Sequence, residues 1–154
     1  MKFSTHEDVS APAEFVFKEL SEFESFERLA SHRGARITRV DSLVEPGVGM
    51  CWDVDFQFRN KARSVRTEVV RFEAPEFIGF SGQSSNFTLM MTVMLTALSQ
   101  TRTRIQVGLD IRPRTLSARL LMQSAKLGRA SLDRKFEGGV RTIARDLEHH
   151  STAS

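Results

Sequence analysis

The sequence predicts an α+β fold in which a seven-stranded antiparallel sheet curves around a long C-terminal helix, with two short helices after the first strand. Three observations predict it. Residues 35–112 read as an almost unbroken series of strands joined by short turns, and short turns between consecutive strands imply antiparallel hairpins. From Thr115 to about His149 the apolar residues recur at helical spacing, as one long basic helix. The only other helical signal lies between Pro12 and Gly34. A helix this long gains little from propensity alone and must bury a face, and the sheet before it is the available partner. A curved sheet around a long helix encloses apolar space.

Lys2 to Ser10 alternates weakly and suits a first strand. Ala11-Pro12-Ala13-Glu14 opens the first helix, because the missing N–H of proline costs nothing in a first turn. Phe15, Val16, Leu20 and Phe23 form its stripe. Ser25 to Ser31 suits a second helix carrying Phe26, Leu29 and Ala30, ended by Gly34. Six strands follow: Ala35–Leu43, Val48–Phe58, Ala62–Glu73, Phe77–Ser84, Phe87–Leu98 and Arg102–Arg112. The turns between them are Glu45-Pro46-Gly47, Arg59-Asn60-Lys61, Ala74-Pro75-Glu76 and Ser99-Gln100-Thr101. The period-2 signal is cleanest where Val48, Met50, Trp52, Val54, Phe56 and Phe58 share one face. Both faces of Phe87–Leu98 are fairly apolar, which suggests cover on both sides. Pro113 stops the sheet and Thr115 suits the N-cap of the long helix. Its apolar stripe runs through Leu116, Leu120, Leu121, Leu127, Leu132, Phe136, Val140, Ile143 and Leu147.

The 154 residues suit one domain, expected over 1–149 with a flexible tail at 150–154. No apolar run approaches the ~18–20 residues that span a bilayer, and the N-terminus lacks a signal-peptide core. The single cysteine, Cys51, cannot form an internal disulfide, which suits a reducing cytoplasm. With 12 Phe, one Trp, six Met and no Tyr, the chain favours a greasy, adaptable interior without phenolic groups. Residues 1–30 hold three Lys or Arg against seven Asp or Glu, whereas residues 112–145 hold nine against two. That asymmetry suits a solvated face, packing of the two ends on each other, or a surface for an anionic partner.

The order of elements, strand, two short helices, six strands and a long helix, resembles the helix-grip fold of the SRPBCC superfamily. That superfamily includes START lipid-transfer domains, pollen-allergen-like proteins and polyketide cyclase/dehydrase-like proteins. Local sequence agrees. Val9-Ser10-Ala11-Pro12-Ala13-Glu14-Phe15-Val16-Phe17 is close to the family's strand-then-helix start, with Phe17 in place of the usual Trp. Pro46-Gly47-Val48-Gly49 and Phe72-Glu73-Ala74-Pro75-Glu76 match its recurrent turns, and Thr101-Arg102-Thr103-Arg104-Ile105 looks like its hairpin without the glycine. The resemblance covers nearly the whole chain and implies a deep cavity between the concave sheet and the C-terminal helix. Members bind lipids, sterols, polyketides, hormones or quinones there, and some use the cavity for aldol cyclisation or dehydration. None of the matched motifs is catalytic.

Trp52, Phe56, Phe58, Phe87, Met91 and Phe136 are the residues expected to line the cavity, against the plainer reading that an aromatic stripe is simply core. In the strand Ala62–Glu73, Arg66, Glu68, Val70 and Phe72 share one face and Val65, Thr67 and Val69 the other. Either face fits inward. The cost of burying paired charges favours Val65, Thr67 and Val69. Asp53, Asp55 and Asp110 alternate with apolar neighbours and are expected outward. His6, His32 and His149-His150 are scattered, so no metal site is expected. No nucleophile elbow or phosphate loop occurs, and neither catalytic residues nor a cofactor are expected. Arg119, Lys126, Arg129, Arg134 and Lys135 suit transient contact with an anionic membrane surface, while nucleic acid is not expected. Gly138-Gly139 inside the helix points to close approach to the sheet or to a kink at the cavity mouth. The functional expectation is binding or carriage of a hydrophobic small molecule or lipid-like ligand without chemistry. The alternatives are an enzyme of the polyketide cyclase/dehydratase kind and an interaction module with a filled cavity.

Overall fold

The computed structural model describes residues 1–32, 34–58 and 60–153, apart from the side chains of Ser25, Phe26, Leu29 and Ala153. The expected roles of Phe26 and Leu29 in a helical stripe, and of Arg59 in a turn, lie outside the described residues. In chain order the elements are β1 (Lys2–Val9), α1 (Ala13–Ser21), α2 (Glu24–His32), β2 (Arg36–Arg39), β3 (Cys51–Phe58), β4 (Lys61–Glu73), β5 (Phe77–Gln83), β6 (Phe87–Ala97), β7 (Thr103–Pro113), α3 (Leu116–Lys126) and α4 (Arg129–Ala153). The strands form one seven-stranded sheet in the order β1-β7-β6-β5-β4-β3-β2, antiparallel throughout.

Alternation along each strand sends its apolar set to the concave side. Trp52, Val69, Ile78, Phe80, Val93, Leu95, Ile105 and Val107 are all buried in one core cluster. On β4 the inward set is Val65, Thr67 and Val69, while Arg66 and Glu68 are exposed. Arg66 lies opposite Asp53 across the β3–β4 ladder and pairs with it at 2.8 Å on the convex face. A register shift between Val69 and Arg71 then inserts Val70 as an extra residue. This bulge breaks the expected face of Arg66, Glu68, Val70 and Phe72. Val70 stays exposed, and Phe72 turns to the core side, where its ring meets Phe17 at 5.1 Å.

β2 is shorter than expected and the chain leaves the sheet after Arg39. Asp41 organises the departure. Its carboxylate accepts hydrogen bonds from the backbone N–H of Leu43 (2.9 Å) and of Cys51 (2.8 Å) and pairs with Arg39 at 2.9 Å. Val48 consequently lies outside β3 and is exposed, although Met50 remains buried. The convex face of β6 is open rather than covered, since Met90 and Met94 are exposed there.

The C-terminal helix is divided, not single. α3 ends at Lys126 and α4 begins at Arg129. Gly128 is the weakest helix former at the junction. There the N–H groups of Leu127 and Gly128 bond three residues back, to Ser124 and Ala125, tightening the turn before α4 starts. Thr115 caps α3 as expected, its hydroxyl accepting from the Ala118 N–H at 3.1 Å. The expected stripe is corrected on α3. Leu116, Leu120 and Leu127 face solvent, with Leu127 92% exposed, and the helix buries Ala118 on its opposite side. At 100° per residue the two sets sit about 180° apart, so α3 carries two apolar faces and docks only one.

α4 runs unbroken through Gly138-Gly139, and a Cβ on Gly138 would meet nothing within 4 Å. Neither close approach nor a break therefore explains Gly138. α4 also continues past His149 to Ala153, and Thr152 donates to the His149 carbonyl at 2.9 Å. Its close backbone approach is to β1, with a smaller one to α1, while α3 approaches β7.

Candidate ligand-binding cavity

The concave side of the sheet encloses two apolar chambers, and the Phe136 side chain lines both. The first has a volume of about 470 Å³. Its floor includes Trp52, Thr67, Phe80, Met91 and Val93, its cover is Phe136, Val140 and Ile143 of α4, and its end wall is Leu20 and Phe23. The second, of about 680 Å³, lies at the end of the sheet where the β3–β4 and β5–β6 turns meet α3. Phe56, Phe58, Phe87, Leu121 and Met122 are among its walls. Both volumes fall in the range of roughly 300–1,000 Å³ usual for small-ligand sites.

The six residues expected around one cavity are thus divided between two. Trp52 and Met91 line the first chamber, Phe56, Phe58 and Phe87 the second, and Phe136 stands between. The division follows from position along the strands. Trp52 lies mid-sheet opposite Thr67, whereas Phe56 and Phe58 lie near the turn, opposite Arg63 and Lys61. Gly82 contributes space to the second chamber: a Cβ there would stand 3.2 Å from both Val65 and Leu89, two of its wall residues.

Few polar groups reach the first chamber. Glu27 of α2 does, and its carboxylate accepts the Trp52 indole N–H at 3.1 Å. That bond satisfies the only polar atom of a Trp that is 6% exposed and stacked edge-on against Phe23, with ring centres 5.0 Å apart. Lys135 stands at the rim. The second chamber carries Arg63 and Lys61 and is lined by no carboxylate among the described residues. Sequence reasoning missed both Glu27 and Arg63. Arg63 was readable, since it shares the parity of Val65, Thr67 and Val69. Glu27 was not, because its approach to Trp52 depends on how α2 folds over the sheet.

Charged residues elsewhere serve structure. Asp53 and Asp8 have their carboxyls held below the usual range, each chiefly by a hydrogen bond from arginine, Arg66 and Arg104 respectively. Asp41 is held lower still, first by Arg39 and then by the Cys51 N–H. Burial pushes the Cys51 thiol up, which leaves it protonated and unreactive near neutrality. His6 is exposed, and the described residues contain no group of three His, Cys, Asp or Glu able to hold a metal. Of the basic residues expected to meet a membrane, Arg129 is engaged internally. It pairs with Asp133, donates to the Lys2 carbonyl and lies 4.6 Å over the Phe3 ring. No helix among the described residues is long and apolar enough to cross a membrane.

Comparison with solved structures places this architecture. A Thermus thermophilus protein superposes with a TM-score of 0.74 over 98% of this chain and 99% of its own, at 13% identity. The Zhui aromatase/cyclase from Streptomyces sp. R1128 gives 0.70 over 96% and 93%, at 11% identity. A START superfamily protein from Mycobacterium smegmatis gives 0.61 over 92% and 98%, at 17% identity. The fold is a helix grip. Its structural neighbours are SRPBCC and START-like proteins, as the order of elements and turns in the sequence implied. At these identities the likeness is one of fold. No family model matches the chain, and no curated protein matches it in sequence.

Asp41 ties the start of β3, and so Trp52, to the loop before it. Its lowered pKa means that its contribution to stability is fully present above the unfolded carboxylate value of about 3.9 and is lost as pH falls through the folded value. Asp41→Asn is expected to melt at a lower temperature than the parent at pH 7 and to lose less stability between pH 5 and pH 3, as thermal melts across that range will show.

Proposed function

We propose that this protein binds a hydrophobic small molecule or lipid-like ligand in its interior and holds it without chemistry. The observation that carries the reading is the hollow, apolar space itself, two chambers walled by Phe, Trp, Met and aliphatic side chains. Protein interiors are close-packed, so unfilled apolar volume on this scale forfeits dispersion contacts unless a ligand supplies them. A filled interaction module does not suit such an interior. The reading treats residues 1–149 as one domain in a cytoplasmic setting, which the unpaired Cys51 suits.

One observation favours a second reading, an enzyme of the cyclase/dehydratase kind. Glu27 places a protonatable group in an otherwise apolar chamber, the position an acid or base would need, and an aromatase/cyclase is among the structural neighbours. Against it, Glu27 already has a structural partner in Trp52.

Trp52 reports on the first chamber because it is the chain's single tryptophan. Titration with the neutral probe N-phenyl-1-naphthylamine is expected to give saturable energy transfer from Trp52. Val107→Phe, which fills part of that chamber, is expected to weaken the probe about ten-fold or more. Glu27→Gln keeps an acceptor for the indole and is expected to leave probe affinity within about two-fold. Absence of saturable transfer in the folded parent would refute the reading.

Loading from an anionic membrane surface belongs to the same proposal. α3 covers the second chamber with Leu121 and Met122 and exposes Leu116, Leu120 and Leu127 on its other side, close to the exposed Arg119 and Lys126. Apolar residues flanked by cations suit an anionic lipid interface. The protein is expected to sediment with phosphatidylserine-containing liposomes at low salt and less at moderate salt. Retention in the supernatant at both ionic strengths would remove this part of the proposal.

A further inference from the structure

Arg63 is a cation pointed the wrong way for an ordinary surface arginine. Its parity on β4 is that of Val65, Thr67 and Val69, so it lies on the concave side, and it lines the second chamber. Its Nε is buried without a hydrogen-bond partner, and Arg63 forms no salt bridge among the described residues. Other arginines of the sheet behave differently: Arg66 and Arg71 of the same strand, and Arg104 and Arg112 of β7, each pair with a carboxylate. A buried donor left unpaired is destabilising, and the penalty is greater for a charged group. Such a group calls for a partner, and water, an ion or a ligand can supply it.

The surroundings say what that partner is. Among the described residues no carboxylate lines the second chamber, and Lys61 adds a second cation to the same wall. The Arg63 guanidinium carbon lies 5.6 Å from the centre of the Phe58 ring, a cation–π contact that fixes the group without using its in-plane N–H donors. Those donors are arranged in the fork that matches a carboxylate. Beyond them Phe56, Phe87, Leu89 and Leu121 supply apolar wall, while Ser64, Ser84, Ser85 and Asn86 also line the chamber. The first chamber is different in charge, since Glu27 in its wall balances Lys135 at its rim.

We propose that the second chamber binds an amphipathic anion of the alkyl-carboxylate class, its acid group on Arg63 and its apolar body against the aromatic walls. This rests on the ligand-binding reading above and adds the chemistry of the head group and the chamber that receives it. Pairing of the acid group with Arg63 offsets the cost of an unpaired buried donor, so the anion has an advantage over an uncharged ligand of the same shape.

Calorimetric titration of the full chain with decanoate, decan-1-ol and decyltrimethylammonium, all below their micelle concentrations, tests the proposal. Decanoate is expected to bind about ten-fold or more tightly than decan-1-ol, with the cation weakest. Arg63→Met is expected to remove the preference for decanoate while leaving decan-1-ol within about two-fold, and Arg63→Lys to retain part of it. Because Arg63→Met removes an unsatisfied buried donor, its melting temperature is expected to match or exceed the parent's. Equal affinity of the parent for decanoate and decan-1-ol, or a decanoate preference that survives Arg63→Met, would overturn the assignment. Uptake of the neutral naphthylamine probe without charge discrimination would overturn this inference alone. Failure of the probe and of all three decyl ligands to bind would overturn the ligand-binding reading with it.

Discussion

α4 lies against β1, the edge strand of the sheet, and the interior takes its shape from that seat. Phe136 meets Phe3 with ring centres 5.6 Å apart, Arg129 donates to the Lys2 carbonyl, Arg141 pairs with Glu7 at 3.3 Å, and Glu148 accepts the Ser10 N–H at 2.8 Å. These contacts run from one end of β1 to just beyond the other. They also use the opposite charges of the two chain ends, acidic near the N-terminus and basic near the C-terminus. Val140, Ala144 and Leu147 bury the apolar side of the helix, within the same cluster as Val9 of β1. Anchored along one edge, the helix meets the concave side chains of β3 to β7 through that shared cluster, and the chambers are the space left around Phe136.

Phe136 converts that space from one volume into two. The ring is half-buried and belongs to both walls. On one side the chamber is closed by α1 and α2, and its polar content is a carboxylate already engaged by an indole. On the other it is bounded by α3 and the strand turns, and its polar content includes Lys61, Asn86 and the Arg63 guanidinium, whose Nε has no partner among the described residues. The break at Leu127-Gly128 contributes to this second enclosure, because it frees α3 to present Leu121 and Met122 to the chamber independently of the stripe on α4. The two compartments differ in polar content: Glu27 and Lys135 line the first, whereas Arg63 and Lys61 line the second with no carboxylate among the described residues, a difference that favours different ligands, or different parts of one ligand.

Much of the scaffold was legible in the sequence for a physical reason. Strand alternation is a local signal, and each hairpin from β3 to β7 is closed by a short turn, so Trp52 and Val54 could be placed inward and Asp53 outward without knowing the fold. Motif order then resembled a known architecture, and the structure has that architecture. Non-local geometry was not legible. The bulge at Val70 moves Phe72 to the other face, and nothing in alternation marks it. The exposed leucines of α3 follow a helical period as good as that of a buried stripe, and only docking decides which of two apolar faces is covered. The six expected wall residues do border cavities, but their division by Phe136 depends on where α4 lies across the sheet. Inward charge is weighed in the sequence only at Arg66 and Glu68, whereas the charges that reach the chambers include Glu27 and Arg63. At a site, the informative residues are those that break the outward-charge rule.

The central claim is that the interior is hollow and divided at Phe136, and diffraction from crystals held under xenon pressure tests it most directly, because xenon enters dry apolar cavities without needing a specific ligand. The account predicts xenon density on both sides of the Phe136 ring, one site near Trp52 and Val93 and another near Phe87 and Leu121. Side chains filling either volume, with no xenon between α4 and the concave sheet, would contradict it.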